Sequence, residues 1–327
     1  MAPGTWHLSG NTAPAGPVYP GMKCASLGVG LALLGALTAG CVVSVDTQAE
    51  IVREEKRFTV AGTPELHLTT FDGSIEIQSW DKTEVLVEIE KRGPTREAVD
   101  ALDVRTSQNG ARIELEVKRP RAESFSGVGM HRVASAKLIV SVPRHANIVA
   151  SSGDGSISIE RVNGRVELRT GDGSIRAAEV GGDVLINTGD GSVTVNHADG
   201  RLDIETGDGG VTVTGRNTRV KIHTGDGSIT YRAEAESRMV EDWEITTGDG
   251  GIIVYLPNGF SAQVDAHTGD GSIRNELQID GLDQGVEVDK DSEERHEARR
   301  TLRGRLGDGG KNLRIRTGDG SIRLRSM

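Results

Sequence analysis

The sequence predicts an all-β fold: a parallel β-solenoid with about 18 residues per rung, preceded by a small β-rich cap that holds one short helix. Three observations carry this. The tripeptide Gly-Asp-Gly occurs nine times, with Asp at 154, 172, 190, 208, 226, 249, 270, 308 and 319, and the first five stand 18 residues apart. Apolar residues alternate with period two on both sides of the tripeptide, which is a strand pattern. The 327 residues include 44 Gly, with only 3% aromatic and 35% hydrophobic side chains, which suits a narrow, tightly turned repeat better than a large compact core.

In chain order, residues 1–21 are uncharged and carry Pro3, Pro14, Pro17 and Pro20, and read as a disordered start-site artefact ahead of Met22-Lys23. Residues 25–39 are apolar and small, and too short for a span of about 20 residues. With Lys23 before them and small residues after, residues 22–40 read as a signal peptide. Leu37-Thr38-Ala39-Gly40-Cys41 resembles a bacterial lipobox, although Thr38 stands where that pattern prefers Leu, Val or Ile. The resemblance implies that Cys41 is lipidated and becomes the first mature residue, with 41–59 as anchor and linker, and that the chain is exported and held on the bacterial membrane, at the outer membrane or cell surface. Cys24 leaves with the signal, so no thiol chemistry is expected.

Residues 60–150 read as the β-rich cap. Strand patterns occupy 64–70, 74–79, 84–91 and 112–118, and residues 94–102 read as a short helix. Asn109-Gly110 signals a hairpin, and Ala136–Val142 is a strong strand. Asp72, in Phe-Asp-Gly-Ser, looks like a degenerate copy of the repeat turn.

From 151 to 327 the units align in columns. Ile157, Ile175, Val193, Val211 and Ile229 follow the tripeptide; Ile159, Ala177, Val195, Val213 and Tyr231 come two residues later. The second half of the unit brings Val166, Val184, Leu202 and Val220, then Leu168, Ile186, Ile204 and Ile222, with Gly164, Gly182 and Gly200 at a second turn. One such unit cannot bury its apolar columns alone, so stacking is expected. A hexapeptide helix fails, because positions 157, 163 and 169 hold Ile, Asn and Arg. A charged insertion near 283–305 reads as a solvated loop or a surface helix. Residues 313–322 return to the repeat, and Arg323 and Arg325 are expected to blunt an unpaired terminal edge.

The run Val142-Pro-Arg-His-Ala-Asn-Ile-Val-Ala-Ser-Ser-Gly-Asp-Gly-Ser-Ile157, followed by repeats of Thr-Gly-Asp-Gly-Ser-Ile, resembles the bacterial "putative adhesin" family of β-strand-repeat proteins, a domain of unknown function. The resemblance covers about residues 60–327 and implies architecture; it brings no catalytic residues with it.

Chemistry is sparse. With 38 Lys+Arg against 48 Asp+Glu the net charge is -10, which argues against a nucleic-acid partner. No metalloprotease, nucleophile-elbow or P-loop pattern occurs. The Asp column is read as turn chemistry, in which Asp accepts backbone N–H groups while its flanking Gly residues take positive φ. Its alternative is calcium, with Asp154, Asp172, Asp190, Asp208 and Asp226 as candidate ligands; no other cofactor is implied. The column Thr170, Thr188, Thr206 and Thr224 is expected to bond along the stack, and an outer column, Thr194, Thr212 and Thr230, to be ordinary exposed strand. His223 and His267 share a repeat position otherwise held by Arg169, Asn187, Glu205 and Arg316, a variable solvent face. The expected function is a lipid-anchored, non-catalytic, adhesin-like binding or scaffolding protein of the envelope, meeting the membrane through Cys41 and a glycan or envelope protein through its faces. The alternatives are a β-helix enzyme acting on envelope polysaccharide and an envelope-stress or assembly component that binds only protein. Oligomeric state is not legible.

Overall fold

A computed structural model describes residues 49–118, 134–281 and 300–327 of the chain. They are all-β, and a single short helix, Arg96–Asp100, lies wholly within them. Its N-cap is Thr95, whose hydroxyl accepts from the Ala98 N–H at 3.2 Å.

Each repeat contributes one strand before its Gly-Asp-Gly turn and one after it, and equivalent strands pair in parallel. In the turn-exit ladder Ile157, Ile175, Val193, Val211 and Ile229 pair in succession. In the turn-entry ladder Ile148, Val166, Val184, Leu202 and Val220 do the same. Val193–Thr206 and Val211–Thr224 run unbroken through the second turn, so both ladders belong to one 23-stranded, solenoid-like sheet. The second turn approaches its neighbour too closely for a side chain: Gly182 has φ +101°, and a Cβ there would lie 2.3 Å from the Gly164 carbonyl oxygen.

The core is the thin space between the ladders. Ile157, Ile175, Leu168, Ile186, Ile204 and Ile222 are fully buried, each contributing roughly 1.5–3 kcal/mol by leaving water. After Ala233 the repeat lengthens, and its wider interior is filled by rings. Trp243 packs edge-on to Tyr231 and tilted against Phe260, with centroids 5.3 Å apart in both pairs. The Tyr231 hydroxyl donates to Asn217 Oδ1 at 2.9 Å, and burial pushes its phenol well above the usual value. Three of the seven aromatics among the described residues thus meet where rungs change size.

Spatial order departs from chain order at both ends. Glu65–Thr70 and Ile75–Trp80 stack directly against Asn147–Ser152 and Ile157–Glu160, so the Asp72 turn sits beside the Asp154 turn. Arg112–Lys118 and Ser135–Pro143 lie on the other side of that pair. Antiparallel strands then cover the end: Asp103–Asn109 through the expected Asn109-Gly110 hairpin, Glu84–Gly93, and Glu50–Thr59, a stretch read from sequence as linker.

At the other end, Asn312–Thr317 and Ile322–Ser326 are inserted between Trp243–Leu256 and the Ala262–Asn275 segment. This corrects the expectation of an unpaired terminal rung. Ile322 pairs with Ile252 on one side and Ile273 on the other, so Arg323 and Arg325 do not guard an edge. Leu313 and Ile315 lie in register with Trp243 and Ile245, and offer those large side chains more apolar surface than the Val264 and Ala266 of the passed-over strand. Thr301–Leu306 closes the stack by antiparallel pairing with Ala262–Thr268. Of the charged insertion, residues 282–299 lie outside the described residues.

Candidate functional site

The Gly-Asp-Gly turns are built by backbone stacking. At Gly171, Gly189, Gly207, Gly225, Gly248 and Gly318 the first glycine of the turn donates its N–H to the first glycine of the neighbouring turn, as in Gly189 to the Gly171 carbonyl at 2.6 Å and Gly225 to Gly207 at 2.5 Å, whereas Gly153 and Gly269 donate to the Thr70 and Thr317 carbonyls. The preceding threonine is buried and bonds the carbonyls of the neighbouring turn. Thr224 Oγ1 lies 3.1 Å from the Gly207 oxygen and 3.0 Å from that of Gly209; Thr170, Thr188, Thr206, Thr247, Thr268 and Thr317 repeat the contact. The threonine column therefore bonds along the stack, through glycine carbonyls and not from hydroxyl to hydroxyl.

Two expectations about these turns are corrected. The glycines flanking Asp154 to Asp226 do not take positive φ; they are required by contact, since a Cβ on Gly227 would meet the Gly209 carbonyl oxygen at 2.1 Å. The aspartates do not make Asx-turns. Asp154, Asp172, Asp190, Asp208 and Asp226 are exposed and accept no hydrogen bond among the described residues, because the neighbouring carbonyls already take the turn N–H groups. Asp308 stands off the column, in a separate turn whose Gly307, Gly309 and Gly310 do have positive φ. Its N–H donates to Ser261 Oγ at 3.1 Å.

The five candidate calcium ligands thus present one exposed carboxylate per turn. Among the described residues no group of three or more His, Cys, Asp or Glu is placed to hold a metal ion. Asp270, in the same column, is bonded by Arg300 at 2.9 Å. His223 and His267 are exposed and bond Thr246 and Thr301. Cys41 lies outside the described residues, and no helix among those residues is long and apolar enough to cross a membrane.

The two outer faces differ in charge. On the turn-entry ladder, cations and carboxylates pair. Arg169 meets Glu167, and Arg303 and Arg316 converge on Asp265. Burial alone would push Asp265 up, but hydrogen bonds from Arg316 and Arg303 outweigh it and hold the carboxyl below its usual value. On the turn-exit ladder, an open groove of about 400 Å³ includes Glu76, Gln78, Ser158, Glu160 and Arg176. Both of its carboxylates are engaged, Glu76 by Lys137 at 2.8 Å and Glu160 by Arg161. Thr194, Thr212 and Thr230 follow in register along the face.

Beyond them stands a basic group that the sequence reading missed. Thr230 pairs with Ile253, Ile253 with Arg323, and Arg323 with Arg274. One column over, Tyr255 lies between Arg232 and Arg325, whose guanidinium carbons are 3.7 and 6.0 Å from the ring centre. These arginines lie far apart in the chain, and nothing in the repeat pattern says that the last segment is threaded inward.

A family model described as Toastrack DUF4097 matches residues 63–325 of this chain. No curated protein matches it. Among solved structures, a "putative lipid binding protein" from Parabacteroides distasonis is similar over 83% of this chain and 96% of its own, at 14% identity and a TM-score of 0.42. A "putative adhesin" from Parabacteroides merdae is similar over 83% and 95%, at 8% identity and a TM-score of 0.42. A "putative cell adhesion protein" from Clostridium sporogenes is similar over 85% and 100%, at 12% identity and a TM-score of 0.27.

Proposed function

The chain belongs to the Toastrack DUF4097 family, and from that membership we propose that it is a lipid-anchored, non-catalytic binding or scaffolding protein of the bacterial envelope, adhesin-like in its mode of action. One observation carries the reading. The described residues bond the glycine backbone and threonine hydroxyls of their turns to neighbouring turns and present two long, rung-periodic faces outward, an arrangement suited to extended partners. In this reading each rung from Ile157 to Thr224 is an 18-residue unit of the Thr-Gly-Asp-Gly-Ser-Ile type. Lipid on Cys41 provides the anchor, the faces engage a glycan or envelope protein, and the Asp column is solvent-facing turn structure without bound calcium.

The test has two arms. Cys41→Ala abolishes lipid labelling and releases the protein from membranes; unchanged labelling overturns the anchor. A glycan array together with an envelope pull-down retains a partner without turnover, whereas depolymerisation of a retained glycan makes the protein an enzyme.

A further inference from the structure

Arg232, Arg274, Arg323 and Arg325 come together only because Ile322–Ser326 is inserted between two earlier strands. Arg323 and Arg274 are direct register partners on the outer face. Neighbouring strands lie about 4.8 Å apart, and like charges directly opposite each other destabilise a strand pair. Among the described residues no carboxylate pairs with Arg232, Arg274 or Arg323, and only Glu276 approaches Arg325, at 3.4 Å from its Nε. The whole chain carries a net charge of -10, and on the other ladder Arg169, Arg201, Arg219 and Arg316 each meet a carboxylate. Beyond the stacking of Arg232 and Arg325 on Tyr255 the fold gains nothing from this basic concentration, and with Ile322–Ser326 paired on both sides, edge protection does not account for Arg323.

We infer that this face docks an anionic glycan, a polysaccharide strand bearing carboxylate or phosphate groups. The inference rests on the binding reading above and gives it a partner class. Guanidinium groups match such oxyanions in two-point contacts, which a lysine ammonium does not. Stacking on Tyr255 holds the Arg232 plane before any ligand arrives, so less freedom is lost on binding. The arginines are distributed along the stacking axis, over the strands Ile229–Ala233, Ile322–Ser326 and Ile273–Asn275, with Tyr255 of Ile252–Leu256 between them, a spread that suits a polymer with repeated charges more than one small anion.

The experiment uses the full chain in detergent, with alginate as the polyuronate probe, dextran as the neutral one, and vesicles of phosphatidylglycerol and phosphatidylcholine. Affinity electrophoresis reads retention by the two glycans at low and high salt, and co-sedimentation reads the vesicles. Alginate retains the protein, dextran does not, and high salt weakens retention. The pair Arg274→Glu with Arg323→Glu lowers alginate affinity by about tenfold or more, while Arg165→Glu with Arg314→Glu on the other ladder leaves it unchanged. Circular dichroism checks folding, and Arg274→Gln with Arg323→Gln replaces the reversal pair if that variant does not fold. Absence of alginate retention, equal losses in both pairs, or vesicle binding without alginate binding overturns the inference. If alginate fails while an envelope pull-down still captures a partner, the inference falls and the binding reading stands; failure of both removes both.

Discussion

Thr317 Oγ1 lies 2.8 Å from the carbonyl oxygen of Gly250, a residue 67 positions earlier in the chain. The same hydroxyl accepts the Gly320 N–H at 3.2 Å, so one buried side chain ties its own turn and the neighbouring one together. Thr317→Val preserves the shape and removes both bonds, together with the longer one to the Gly248 carbonyl at 3.4 Å. Loss of a buried hydrogen-bonding group costs about 1–3 kcal/mol. Urea unfolding should show that loss, whereas Thr212→Val on the exposed face should stay within about 0.5 kcal/mol of the parent. Equal effects at the two sites would mean that the cross-turn bonds add nothing.

The turn glycines are contact glycines, and this separates two substitutions that look alike in sequence. A Cβ at Gly250 would meet the Gly227 carbonyl oxygen at 2.0 Å, so Gly250→Ala forces backbone apart and should cost about 3 kcal/mol. At Gly210 the nearest atom is the Ser228 carbonyl oxygen at 3.7 Å, and other repeats hold Ser156, Ser174 and Ser192 in that place. Gly210→Ser should therefore stabilise, by about 0.4–1 kcal/mol, through a less flexible unfolded chain. Thermal melts of the two variants should move in opposite directions.

The repeat columns were legible because inward positions tolerate only aliphatic residues at a fixed interval, and Ile157 to Ile229 therefore align by eye and pair in fact. Stacking order was not legible. Ile273 and Ile322 are equally good neighbours for Ile252 by pattern, and what separates them is whether Leu313 or Val264 lies against Trp243, a volume question that periodicity does not encode. The arginine group stayed hidden for the same reason. The positive φ assigned to the wrong glycines shows a second limit, since glycine answers both to dihedral strain and to close approach, and only coordinates tell Gly182 from Gly227.

The inward threading makes a C-terminal truncation harmful. Deleting residues 312–327 would strip one of the two pairing partners from each of Trp243–Thr247 and Ala262–Thr268, exposing Trp243, Ile245, Val264 and Ala266 to water. A solenoid that lost its last rung in space would only shorten. Limited proteolysis and circular dichroism should show this deletion losing its cooperative melt; a well-folded truncated chain would mean that the stack follows chain order.

The exposed Asp column is a line of like charges with no bonded partner in the repeat. Neighbouring carboxylates about 4.8 Å apart repel by roughly 1 kcal/mol in water. Asp190→Asn removes two such neighbours, those at Asp172 and Asp208, and should raise the melting temperature at low salt, with the gain shrinking as salt screens the column. Were Asp190 a calcium ligand, the same variant would melt lower than the parent in added Ca²⁺, so the sign of the shift with and without a chelator decides between the two roles.

Tyr231 links the widened rung to alkaline stability. Its phenol is buried against Trp243 and donates to Asn217; burial first, with the charge of Glu234 adding to it, raises its pKa well above the usual value. Below about pH 10 the group is protonated in both the folded and the unfolded chain, and its contribution to stability is fully present. Above that, the unfolded chain releases the proton and the folded chain keeps it, so stability falls as pH rises, with a limiting slope of about 1.4 kcal/mol per pH unit. Tyr231→Phe removes the proton and leaves Asn217 Oδ1 without its donor, a cost of about 1–2 kcal/mol at neutral pH. Other alkaline groups are common to both chains and cancel. The difference in unfolding free energy between parent and variant should therefore be constant from pH 7 to about pH 9.5 and narrow by about 1.4 kcal/mol for each unit beyond pH 10. A difference that stays constant to pH 11 would show that this phenol ionises as freely in the fold as in the unfolded chain.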